Sequence, residues 1–253
     1  MRHIHLIGIG SGNLDHITIQ AIKALNDTDV FFVFDKGLEK AELIEIRRSI
    51  CEQYITDRKH RFVEIESPAR DASSGYKFGV DLWHQARADL AAAAIAREMG
   101  DTQTGAFLVW GDPALYDSNI RILNLILAHQ PEAFTFDVIP GIMSPQVLTA
   151  QHKITLNEIG EPVQITTGRK LRESQAADKA SVVVMLDDGS GLASTLETDA
   201  HIYWGAYLGM ADEVLISGPI RDVGQKILDV RKSERARKGW IMDTYLLRYP
   251  KSK

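Results

Sequence analysis

Three short stretches pair glycine with residues that bind polar ligands. In "HIHLIGIGSGNLD", His3 to Asp15, an apolar run ends in Gly8, Gly10 and Gly12, with Ser11 among them. In "LVWGDPALYDS", Gly111 precedes Asp112, and Pro113 imposes an extended geometry on that acid. In "VIPGIMSP", Pro140-Gly141 follows a third apolar run, with Ser144 close behind. Glycine lets backbone approach a ligand closely. One such turn is weak grounds for a site, since any strand-to-helix turn can carry Gly and Pro. Three of them on one sheet edge, with an acid and two small hydroxyls, suit a polar ligand lying across that edge.

The first turn invites comparison with the dinucleotide fingerprint G-x-G-x-x-G, which also wants an acid at a strand end about 20 residues further on. Asp35 fills the acid's place. Counted from Gly8, however, the third glycine should fall at position 13, which is Asn, and Gly12 is out of register. A nicotinamide-dependent oxidoreductase therefore stays as an alternative of a different class, opposed by a broken fingerprint.

The elements that must position these turns are legible in the hydrophobic pattern. Ile4 to Ile9 reads as a buried strand. Leu14, Ile17, Ala21, Ile22 and Leu25 have helical spacing, "DVFFVFD" is a strand closing on Asp35, "KAELIEIRRSICEQYI" a helix and "RFVEIE" a strand. A polar loop over 67–79 leads to a long helix ending at Gly100, a candidate C-cap. "GAFLVWGDP" is a strand, "SNIRILNLILAHQ" a helix capped by Asp117 or Ser118, and "FTFDVIPGI" a strand. This alternation argues for βαβ units and a parallel sheet. Beyond it, five strand-like runs with two or three helices between them suggest a mixed sheet. Two domains are expected, 1–140 and 141–253.

Composition narrows the class. The net charge of -5 disfavours a nucleic-acid partner. No apolar run reaches the roughly 18 residues of a membrane span, and Met1 to Gly10 lacks the apolar core of an export signal. Cys51 is the only cysteine, so no internal disulfide and no cysteine-built metal site can form. A cytoplasmic location is expected. No metal site is expected either: the eight His show no His-Glu-x-x-His spacing. "KSERARKG" reads as a solvated helix face.

In order along the chain, "IGIGSGNLDHITIQAIKAL", "GDPALY" and "VIPGIMSPQ" resemble the tetrapyrrole methylases, which methylate carbon atoms of corrin and sirohaem precursors with S-adenosylmethionine. The family's first motif usually carries Pro where this chain has Ser11, while Thr18 keeps the Thr that opens the helix. Gly111, Asp112 and Pro113 complete the second motif, and Pro140-Gly141-Ile142 the third. "SVVVMLD" with Met185 and "YWGAYLG" with Gly205 fit later parts of the family pattern. "FFVFDKG", "SPARD", "SSGYKFGVDLWHQARADL" and "ITTGRKL" resemble the members that act on precorrin-5 in aerobic cobalamin synthesis, methylating C1 with loss of an acetyl group as acetate.

The resemblance implies a two-domain α/β fold with the active site in a cleft between an N-terminal parallel βαβ domain and a C-terminal mixed-sheet domain. It implies a homodimer and S-adenosylmethionine as cofactor, leaving as S-adenosylhomocysteine. By position, the cofactor contacts would be Ser11, Trp110, Gly111, Asp112, Leu115, Met143, Ser144, Met185 and Gly205. Asp112 would bond the ribose or face the cationic part of the cofactor, with Leu115 and Met185 against the adenine. The reaction needs water delivered to the acetyl carbonyl, an oxyanion donor, and C1 in line with the sulfonium methyl. Asp35 is the first candidate for general base and His84 the second. The substrate is a macrocycle rich in carboxylates, for which Lys36, Arg70, Arg87, Arg121 and Arg169 are the candidate cations, and the 67–79 loop a candidate lid. Within the fold, another tetrapyrrole-ring C-methyltransferase, a diphthine synthase or a ribosomal RNA ribose methylase are rivals. The last would want a basic face. A non-catalytic tetrapyrrole carrier would not need the Gly-Asp-Pro turn.

Overall fold

The computed structural model describes residues 1–35, 41–68, 76–173 and 181–250, without the side chains of Asp35, Ala41, Tyr76, Lys77 and Phe78. The chain divides into two compact units. One holds Met1–Gly10 with Leu14–Ile142, the other Ser11–Asn13 with Met143–Lys253.

The first unit is a five-stranded sheet of β1 (His3–Gly8), β2 (Val30–Asp35), β3 (Arg61–Glu66), β4 (Thr104–Val109) and β5 (Thr135–Ile139), in the order β3-β2-β4-β1-β5. Every pairing is parallel. The helices are α1 (Ile19–Asp27), α2 (Ala41–Tyr54), α3 (Tyr76–Glu98) and α4 (Asn119–His129). Helices on both faces explain why the strands read as continuous apolar runs. Ile4, Leu6 and Phe32 pack with Ala88, Ala91 and Ala94 of α3 and Ile122 of α4 on one face. Ile7, Ile9 and Phe31 pack with Ala21 and Leu25 of α1 and Ile50 of α2 on the other. The alanines of α3 have no long side chain to hold the helix off the sheet.

The second unit contains α5 (Ser144–His152), β6 (Val163–Thr167), α6 (Gly168–Glu173), β7 (Ser181–Met185), α7 (Ser190–Ala193), β8 (His201–Ala206), β9 (Val214–Pro219), α8 (Ile220–Lys238) and β10 (Asp243–Arg248). Its sheet order is β6-β7-β10-β8-β9. β6 and β7 are parallel and the other pairs antiparallel, so the sheet is mixed as expected. Among the described residues α6, α7 and α8 lie between its strands, within the two or three helices expected there, and α5 precedes them.

A buried polar network pins the turn after β7. Asp187 accepts from the backbone N–H groups of Gly189, Gly191 and Leu192 at 3.1, 3.0 and 2.8 Å, and from the Tyr245 hydroxyl at 2.8 Å. Burial pushes the Tyr245 phenol well above its ordinary pKa, with the Asp187 charge adding to it. Arg231 donates to the Asp187 carbonyl and bonds both oxygens of Asp243, at 2.6 and 3.0 Å. Burial works against the Arg231 charge, but the bonded Asp243 carboxylate wins and holds the guanidinium above its usual value.

Two local expectations change and one is narrowed. α3 starts at Tyr76, so the loop expected over 67–79 is shorter, and residues 69–75 lie outside the described residues. Gly100 is absent from the left-handed cap glycines; its N–H donates instead to Gln103 Oε1 at 2.8 Å. At the start of α4 it is Asp117 that accepts from a backbone N–H, that of Asn119 at 2.7 Å, while Ser118 makes no side-chain cap bond. Among the described residues no helix is long and apolar enough to cross a membrane.

Candidate functional site

In the first unit the three glycine turns meet at the carboxyl ends of β1, β4 and β5, where ligands bind in open α/β sheets. Gly10 and Gly111 exchange backbone hydrogen bonds at 3.3 and 2.8 Å. A Cβ on Gly141 would lie 2.2 Å from the Gly111 carbonyl oxygen and 2.8 Å from the Gly8 carbonyl carbon. One on Gly8 would lie 2.6 Å from the Gly141 nitrogen. Backbone therefore touches backbone at all three turns, and only glycine fits. Trp110 and Leu115 flank this point, both half-buried. Tyr116 holds the left-handed conformation at φ 53° and is exposed, so the Gly-Asp-Pro turn stores backbone strain.

Two features of these turns bear on how they could hold a ligand. Asp112 spends both carboxylate oxygens on the chain: Oδ2 accepts from Gly141 N–H at 2.9 Å and Oδ1 from Ala114 N–H at 2.8 Å. It clasps the β5 turn to the β4 turn, and any bond to a ribose or cationic group must use a remaining lone pair. The first turn does not run directly into a helix, in keeping with its broken dinucleotide fingerprint. A 3₁₀ turn, Leu14–His16, separates it from α1, whose N-terminus is capped by Thr18 accepting from Ala21 N–H at 3.1 Å. The Thr read as opening the helix does so.

A second group gathers beside β2. Asp35 ends that strand opposite Glu66, but its side chain, Lys36 and Arg70 lie outside the described residues. His84 Nε2 is 2.9 Å from Ser118 Oγ, and its ring leans on Trp83 with centroids 5.4 Å apart. Arg87, one of the candidate substrate cations, is 5 % exposed. Its guanidinium lies 3.7 Å over the Phe34 ring and 4.6 Å from that of Trp83, and its Nε has no hydrogen-bond partner. Burial pushes its pKa down to about 10 against the pull of Asp117. Arg47, which no sequence signal marked, is also pushed to about 10 by burial, with Asp117 again opposing. Its Nε donates to the Leu108 carbonyl at 3.0 Å and its Nη1 to that of Leu43 at 2.6 Å. Asp117 thus faces two desolvated guanidiniums. Arg121 and Arg169 are exposed, Arg121 on α4 and Arg169 on α6 of the second unit.

In the second unit the strand registers bring expected residues into one row: Thr167, Met185, Thr244 and Gly205 are successive partners across β6, β7, β10 and β8. Ser144 Oγ, in the first turn of α5, bonds Thr244 Oγ1 at 2.9 Å. Gly205 is glycine because a Cβ there would meet Leu208 at 2.6 Å and Leu148 of α5 at 3.0 Å. Thr244, 4 % exposed, was missed, since only the β7-β10-β8 pairing reveals it. Met143 caps α5, its N–H donating to Gln146 Oε1 at 2.8 Å. Leu186, after Met185, is left-handed at φ 52° yet 67 % exposed. Ser11 is 3 % exposed and its hydroxyl has no hydrogen-bond partner, a state that costs free energy unless something fills it.

The family model described as Tetrapyrrole (Corrin/Porphyrin) Methylases matches residues 3–224. A precorrin-6A synthase [deacetylating] of Sinorhizobium sp is 51 % identical over 249 residues, covering 98 % of this chain and 95 % of that one. The crystal structure of a cobalamin-synthesis-related protein (CobF) of Corynebacterium diphtheriae superposes with TM-score 0.83 at 37 % identity, covering 98 % of both chains. The cobalt precorrin-4 methyltransferase CbiF superposes with TM-score 0.67 at 15 % identity over 98 % of this chain and 94 % of its own, a likeness of fold. With the Gly-Asp-Pro clasp and the Pro-Gly turn in the family's order, these matches make the chain a member of the tetrapyrrole (corrin/porphyrin) methylases.

Proposed function

We propose that the protein is an S-adenosylmethionine-dependent C-methyltransferase that methylates precorrin-5 at C1 and releases acetate, giving precorrin-6A in aerobic cobalamin synthesis. The observation that carries this reading is the 51 % identity, over nearly all of both chains, to a protein named for a deacetylating synthesis of precorrin-6A. Bound S-adenosylmethionine would supply an electrophilic methyl group. Ser11, Trp110, Gly111, Asp112, Leu115, Met143, Ser144, Met185 and Gly205 are the proposed contacts to it. The Ser11 hydroxyl offers a hydrogen bond, the glycine turns offer backbone, and Asp112 keeps those turns together. Thr244 joins the set by holding the Ser144 hydroxyl.

For the macrocycle, Arg87 is the favoured cation of the expected five, with Lys36, Arg70, Arg121 and Arg169 kept as candidates. A desolvated guanidinium gains most from a carboxylate, because neither partner is then screened by water. Asp35 remains the proposed general base and His84 the second. The Ser118 bond orients the His84 ring. We also propose a cytoplasmic homodimer, supported by the family resemblance and, for the reducing compartment, by the single buried Cys51.

The test incubates purified protein with precorrin-5 and S-adenosylmethionine and quantifies acetate and S-adenosylhomocysteine together. Equal amounts support the reading. S-adenosylhomocysteine without acetate would move the reaction to another ring position, and neither product would overturn it. S-adenosylhomocysteine at 100 Kd should stabilise the fold by about 2.7 kcal/mol while NAD does nothing.

A further inference from the structure

At the amino ends of β1 and β5, away from the glycine turns, two histidines and a carboxylate meet. His3 and His5 point to one side of β1, and the β1-β5 register sets them opposite Thr135 and Asp137. His5 Nδ1 lies 2.6 Å from Asp137 Oδ1 and His3 Nε2 lies 3.5 Å from the same oxygen. One ligand atom from each residue lies within 4.8 Å of the other two, and among the described residues this is the one such group. His5 is 8 % exposed. His5 is three residues from Gly8, about 10 Å along the strand.

The ring nitrogens that face away from this point differ in their surroundings. His3 Nδ1 is 2.8 Å from Thr135 Oγ1. His5 Nε2 is buried, has no hydrogen-bond partner, and has Asp27 Oδ2 at 3.7 Å. For His3 this is the usual support of a metal-bound imidazole, in which one nitrogen binds the ion while the other gives its N–H to a hydroxyl or carboxylate; for His5 the Asp27 carboxylate stands nearby but beyond hydrogen-bond range. With Nδ1–H of His3 directed at Thr135, its Nε2 lone pair faces Asp137. His5 Nδ1, 2.6 Å from Asp137 Oδ1, donates its N–H to that carboxylate in the metal-free chain, so an ion entering between them would displace this proton, leaving Nε2 to carry the N–H toward Asp27.

We propose that His3, His5 and Asp137 bind a divalent transition-metal ion of the zinc type. Two imidazoles and one carboxylate, with a water completing a tetrahedron, are zinc's ligand chemistry; Mg²⁺ and Ca²⁺ want oxygen ligands. Zinc–ligand bonds near 2.0–2.1 Å put tetrahedral neighbours roughly 3.3 Å apart. The His3–Asp137 separation is already close to that. The His5–Asp137 separation must open by about 0.7 Å, which the half-exposed Asp137 carboxylate can do by rotating. The ion would staple the edge strand β5 to its neighbour β1. This inference is independent of the methyl-transfer reading.

The test uses protein without a histidine tag, stripped with a chelator and titrated with Co²⁺ and then Zn²⁺. Wild type should take up one equivalent of Co²⁺ with a visible tetrahedral absorption band, lose the band to Zn²⁺, and melt higher with Zn²⁺ but not with Mg²⁺. His3→Gln and Asp137→Asn should weaken Co²⁺ binding by at least about tenfold. Both side chains are partly exposed, so the metal-free variants should fold and melt near metal-free wild type. A wild type with no cobalt band and no zinc-dependent melting shift overturns the proposal. So do variants that bind as wild type does, since the ion would then lie elsewhere.

Discussion

Gly141→Ala tests whether the three turns form one packed unit. Gly141 is not among the glycines with positive φ, so its backbone suits alanine and the whole cost is steric. The new methyl would stand 2.2 Å from the Gly111 carbonyl oxygen and 2.9 Å from Gly8 Cα. Neither neighbour is a side chain that can turn aside, so the β5 turn must move off the β1 and β4 turns. Overpacking a well-packed site costs about 1–3 kcal/mol, and a clash with backbone belongs at the upper end. At about 2–4 °C per kcal/mol for a chain of this size, the melting temperature should fall by about 6–12 °C. Gly160→Ala is the comparison: it has φ +75° and nothing within 4 Å, so it should cost only the roughly 1–2 kcal/mol of a left-handed alanine. Circular-dichroism melts measure the stability, and calorimetry measures S-adenosylhomocysteine affinity, which should drop at least about tenfold, or 1.4 kcal/mol. A Gly141→Ala protein that melts with wild type would refute the packing argument. One that is destabilised but binds S-adenosylhomocysteine normally would refute the placing of the cofactor at these turns.

The clasp itself is tested by Asp112→Asn, which turns an amide NH₂ toward a backbone N–H donor. About 1–3 kcal/mol should be lost in urea unfolding, and an unchanged midpoint would show that the clasp contributes nothing. Asp243→Asn leaves the Arg231 charge buried and without its partner carboxylate, so about 3–5 kcal/mol should go, read by the same urea titration. Burial pushes the Cys51 thiol from 9.0 up to about 12. Its folded pKa lies above its unfolded one, so the stabilising effect is complete below about 9 and is lost as pH rises toward 12. Cys51→Ala should flatten that alkaline fall in stability, and in wild type a disulfide reagent at pH 8 should react only as fast as the chain unfolds.

Much of the first unit was legible because its strands are short apolar runs bounded by glycine and its helices are long enough to show a period. The mixed character of the second sheet was legible from strand-like runs with few helices between them. α6 and α7, of six and four residues, were not. They exist because tertiary contacts hold them: Asp187 anchors the start of α7, and Gly191 packs on Gly168, where a Cβ would come within 2.6 Å of backbone.

The site divides along the same line. Glycine turns are visible in sequence because the constraint falls on the glycine itself. Arg87 was named as a candidate cation, but its burial over Phe34 was not readable, since a charge at the surface and a charge stacked on a ring are spelled alike. Thr244, Asp117 and the His3-His5-Asp137 group share a different difficulty. Each gains its partner from a strand, a helix or a turn far along the chain, as Thr244 does from Ser144 and Asp137 from His5, 132 residues away. The alternation in "HIHLIG" put His3 and His5 on one face of a strand, and that much was readable. What the alternation could not supply was the neighbour, because β1 pairs with β4 and β5 by a topology written over 130 residues. Chemistry that resides in a turn is therefore read from local sequence, and chemistry that resides between strands needs the register of the sheet.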